Sequence, residues 1–171
     1  MASSSLSFRE RFVAETSYPA SILPSRHVSC TELRQTEHLV VWGIRRLVET
    51  RRNAPDVEIA FSRSMGGHHA RPLILLKTLI GHLAMSGKRK VTVGLTCRPC
   101  LTNDEFALLV AIDAATCGDF VRAHGLFDMI AKPEQVDQLT HIAEALGEAL
   151  RDAGRPISIL RRFEAPSVTR H

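Results

Sequence analysis

Six stretches of helical period, each opened by a capping residue or an early proline, follow one another between Ser29 and Gly154. This punctuated rhythm constrains the chain to a mainly α fold. Ser29 with Glu32 forms the first capping box, and Leu33, Val40, Ile44 and Leu47 carry an apolar stripe to about Arg52. Pro55 and Asp56 restart the chain into a short helix with Val57, Phe61 and Met65 inside, stopped at Gly66-Gly67. A third helix is predicted from about His69 to Ser86, closed by Gly87, with an apolar arc of Leu73, Leu76, Ile80 and Leu83 wide enough to sit centrally. Thr102 with Glu105 opens a fourth that runs to Cys117-Gly118, Asp119 caps a fifth, and Pro133 opens a sixth that reaches Gly154. Between these, Val91 to Leu95 and Pro156 to Leu160 alternate as two short strands would, which allows at most a small two-stranded ribbon beside the helices.

The chain of 171 residues, 44% hydrophobic, has enough apolar material for one core. The expected organisation is an N-terminal arm over 1–28, a helical domain over 29–162 in irregular or bundle-like packing, and a C-terminal tail over 163–171. The arm is rich in Ser and Pro and holds scattered apolar residues, with a short helix expected around Phe8 to Ala14. No run approaches the roughly 18 apolar residues that span a bilayer. Neither a secretory leader nor an acylation signal is apparent, and four cysteines do not make a disulfide scaffold. These features point to the cytoplasm and away from the membrane.

Charge is unevenly distributed along a chain whose net charge is +4. Residues 1–98 hold 15 Lys/Arg against 7 Asp/Glu, whereas 99–154 hold 3 against 10. Either the two halves fold against each other with complementary surfaces, or a basic face is offered to an acidic partner. A nucleic-acid reading would use Arg45, Arg46, Arg51 and Arg52 with Lys88-Arg89-Lys90, though no helix-turn-helix or RNA-recognition pattern accompanies them.

Cys97-Arg98-Pro99-Cys100, between a predicted strand and a helix, resembles the thiol motif of thioredoxin-like oxidoreductases, where a helix N-terminus activates the first cysteine. The likeness ends with those residues: the helix caps at Thr102, beyond both thiols, and the alternating strands and helices of that fold are missing. The same pair would bind zinc if two more ligands joined it, with His68, His69, Cys30 and Cys117 the possible donors, although a second ligand pair at recognisable spacing is lacking. No nucleophile elbow or phosphate-binding glycine loop is present, and no cofactor is implied. An enzyme is therefore not the preferred reading. The sequence favours a regulatory or adaptor protein acting through protein contact or self-association. At about 100° per residue, Trp42 points away from the stripe of the first helix, with His38, Arg45 and Arg46 around it, and these four residues are the expected contact surface.

Overall fold

In the computed structural model, residues 27–51 and 53–163 are described. They form seven α-helices: α1 Gln35–Glu49, α2 Pro55–Met65, α3 Ala70–Ser86, α4 Asn103–Thr116, α5 Phe120–Asp128, α6 Pro133–Asp152 and α7 Leu160–Phe163. More than half of the chain is helical, and among the described residues there is no strand. The arm expected over 1–28 lies outside the described residues except for His27 and Val28, and the tail does so beyond Phe163.

Local signals place most helix ends. Thr102 caps α4 with its hydroxyl accepting from the Glu105 N–H, while the Glu105 carboxylate reaches back to the Thr102 N–H. Asp119 caps α5, and proline occupies the first turn of α2 and α6. Gly118 and Gly154, at φ 81° and 70°, supply the left-handed residues just past α4 and α6. The first helix departs from expectation. The Ser29–Glu32 box is real, but it closes a single 3-10 turn over Cys30–Glu32. The chain then runs extended through Leu33 and Arg34, and α1 begins only at Gln35. The cause is tertiary: Cys30 N–H donates to Pro99 O and Leu101 N–H to Val28 O, tying this turn to the loop before α4.

The two predicted strands do not form, for a common reason. Around Val91–Leu95 the N–H groups of Thr92 and Gly94 donate to the carboxylates of Asp104 (2.6 Å) and Glu105 (2.9 Å). Around Pro156–Leu160 those of Ser158 and Leu160 donate to Glu37 (3.3 Å) and Asp113 (2.8 Å). Alternate donors of each segment are thus engaged by buried acids rather than by another backbone. Isolated bridges, Ser29 to Cys100 and Gly87 to Ala131, are the β pairing present among the described residues.

The core centres on α4, not α3. Every residue of α4 from Asp104 to Ala115 is buried, and the helix is enclosed chiefly by α5 and α6. α3 lies on α6 with Ile74 and Met85 exposed on its outer side. Packing between α4 and α6 is close at Gly147, where a Cβ would stand 1.7 Å from Thr116 Oγ1. No helix among the described residues is long and apolar enough to cross a membrane.

Candidate interaction groove

α1 and α2 touch where Gly43 removes a side chain: a Cβ there would meet Phe61 and Leu76 at 3.3 Å. Beside this contact the helices leave an open groove of about 710 Å³. Its α1 wall carries His38, Leu39 and Trp42, and its α2 wall Asp56, Ile59 and Arg63. Trp42 packs one side against the core and keeps the rest in the groove, so its ring is only partly buried. Ile59 is 53% exposed and also borders a second hollow of about 490 Å³ that includes His69. Ile59 lies off the Val57, Phe61 and Met65 stripe of α2. That displacement was readable in the sequence, and it marks a groove residue that helix-one reasoning alone misses.

The four residues expected to share one surface separate. His38 is exposed and lines the groove with Trp42. Arg46 bonds Asp56 at 2.7 Å and Glu49 at 2.9 Å, joining α1 to the start of α2. Those hydrogen bonds outweigh its desolvation and hold its guanidinium above the usual range. Burial of Glu49 works against its charge, but bonds from Thr96 and Arg46 prevail and keep its carboxyl below the ordinary value.

Arg45 must be withdrawn from the surface altogether. It is 3% exposed and makes a two-pronged bond to Glu105, at 2.8 and 2.9 Å. It also donates to the carbonyls of Arg98 (2.7 Å) and Cys100 (3.0 Å), which fixes the loop around the two cysteines. Burial disfavours its charge, yet the hydrogen bonds and charge of Glu105 overcome that cost and raise its pKa. A parallel node joins Arg89 to Asp104 (2.7 Å) and to Met129 O (3.0 Å). Two of the arginines counted toward a nucleic-acid face are therefore inside salt-bridged nodes or helix-bridging pairs, and Arg89 is spent on a third.

Cys97 is exposed and Cys100 partly buried, both as free thiols in the loop before α4. His68 and His69 lie in the turn after α2, where His69 Nδ1 stands 2.6 Å from Gly66 O. Among the described residues no three His, Cys, Asp or Glu side chains come together as a metal site. The expected joining of Cys97 and Cys100 with donors among His68, His69, Cys30 and Cys117 thus has no geometric counterpart among the described residues. Cys117, at the end of α4, has its thiol pushed up by burial and by Asp113.

The chain was compared with protein families, with curated proteins and with solved structures, and none of these comparisons produced a match.

Proposed function

We propose that this protein acts by binding another protein in the groove between α1 and α2, as a regulatory or adaptor module rather than as an enzyme. The observation that carries the reading is Trp42 standing partly open beside the exposed Ile59 in an open groove of about 710 Å³. An aromatic ring flanked by an aliphatic residue, with Asp56, Arg63 and His38 at the edges, has the apolar centre and polar rim of a binding patch. The buried charges support it indirectly: Arg45, Glu105, Asp104, Glu37 and Asp113 are each engaged in holding irregular segments.

Ile59→Asp is the direct test, because this side chain is exposed and its loss should leave the melting temperature nearly unchanged. Retention of a specific protein from extract of the native cell should fall at least tenfold, which corresponds to about 1.4 kcal/mol. Trp42→Ala should weaken the same complex while also lowering stability, since part of the ring belongs to the core. If no protein shows retention that depends on Ile59, the groove is not the working surface.

A further inference from the structure

We infer that the groove is the interface of a two-fold dimer, in which α2 of one copy packs antiparallel on α2 of a second copy of this chain. The inference rests on the reading of the groove as a protein-binding surface and names the protein that fills it.

The first observation is shape. Ile59 and Arg63, about one turn apart on α2, border both the larger groove beside Trp42 and the second hollow beside His69. They therefore stand as a ridge between two depressions. Side chains four residues apart make the row that one helix seats in the groove of another. A two-fold interface presents the same patch from both copies, and a ridge lying next to a hollow is a patch that receives its own rotated image.

The second observation is charge. Asp56 and Glu58 occupy the first turn of α2, and Arg63 its last. At about 100° per residue, Asp56 and Arg63 lie on the same side of Ile59, toward Trp42, and both line the groove. In an antiparallel pair, Asp56 of each copy comes opposite Arg63 of the other, so one register makes two pairs of opposite charge. The midpoint of that register falls between Ile59 and Ala60. The exposed Ile59 thus lands at the axis, against its own copy. A parallel arrangement would set like charge on like. Asp56 has surface left for a second guanidinium, since its side chain is 40% exposed beside its bond to Arg46.

The purified full chain should sediment as a dimer that dissociates on dilution through the micromolar range, because one helix and one groove wall per copy make a small interface. Trp42, the only tryptophan, reports the contact. Its emission should move to longer wavelength, and acrylamide should quench it more, as the dimer dissociates. Ile59→Asp should leave a monomer at every concentration with circular dichroism unchanged. Arg63→Glu sets like charges opposite each other and should raise the Kd at least tenfold. Asp56→Asn, which keeps an oxygen for Arg46, should raise it less. An equimolar mixture of Arg63→Glu with Asp56→Asn should associate more tightly than either variant alone, because the mixed dimer regains one Asp56–Arg63 pair and holds no like-charged pair. A wild type that stays monomeric through the micromolar range overturns the inference. So does a dimer indifferent to Ile59→Asp, or a mixture no tighter than Asp56→Asn alone. Retention of a different protein through Ile59 by a monomeric chain would leave the groove reading standing without this one, so the two fail separately.

Discussion

Arg45 illustrates how a single residue changes meaning between sequence and structure. On a helical wheel an arginine opposite the apolar stripe belongs to solvent, and nothing in a local pattern announces a carboxylate 60 residues away. The partner is Glu105, which also accepts the N–H groups of Gly94 and Thr102, so one carboxylate joins α1, α4 and the loop between α3 and α4. Glu105→Gln keeps the shape but leaves the guanidinium buried without a counter-charge. The expected loss is about 3 kcal/mol or more, read from urea unfolding. Arg45→Lys should recover little by comparison with wild type, since an ammonium cannot reproduce the fork or reach both loop carbonyls. A cost for Glu105→Gln below about 1 kcal/mol would place the pair with weakly coupled surface ions instead. Trp42 and His38 show the opposite case. Their direction depends only on helical period, and both do line the groove.

At the level of elements, what could be read was what is encoded within a few residues. The Thr102–Glu105 box, the Asp119 cap and the prolines of α2 and α6 each satisfy helix-end groups locally, and the structure has those ends where the sequence put them. The Ser29–Glu32 box closes a turn that does not continue into α1, because a box specifies a turn and not how far the helix runs. The segments around Val91 and Ile157 show the limit more sharply. Their alternation is genuine, yet a strand needs a partner backbone, and here the carboxylates Asp104, Glu105, Glu37 and Asp113 take the donors first. The α4–α6 contact offers a test of packing. Gly147→Ala would gain up to about 1 kcal/mol of helix propensity at an open site. Here its methyl would meet Thr116 Oγ1 at 1.7 Å and Cβ at 2.9 Å, so overpacking should prevail with a net loss of about 1–3 kcal/mol. Thermal unfolding would measure it, and Thr116→Ala in the same background should return part of the loss, since it removes the closest atom.

Over the whole molecule, the opposite charge of the two halves becomes internal structure. Arg45 with Glu105 and Arg89 with Asp104 join the basic and acidic parts of the chain at buried or mostly buried positions. Arg71–Asp152 and Lys88–Asp128 join the same parts at the surface, at 3.6 and 3.5 Å with all four side chains largely exposed. Sodium chloride near 1 M shortens the screening length to about 3 Å and acts mainly on the second kind. Unfolding free energy should therefore fall by no more than about 1 kcal/mol between low and high salt. A much larger fall would mean that long-range attraction between the halves, and not the buried nodes, holds them together. The groove was only half legible at this scale, because its α1 wall follows from one helix whereas its α2 wall depends on how two helices approach at Gly43. The carboxylates that replace a second strand also occupy donors that an open strand edge would present to another chain. Val91-Thr92-Val93 is the β-prone kind of run that, with bare amide edges, recruits copies of itself into aggregates. With Asp104 and Glu105 seated on the Thr92 and Gly94 N–H groups, those donors are not open to a copy of the chain, and the groups that close them lie inside the core rather than on the surface.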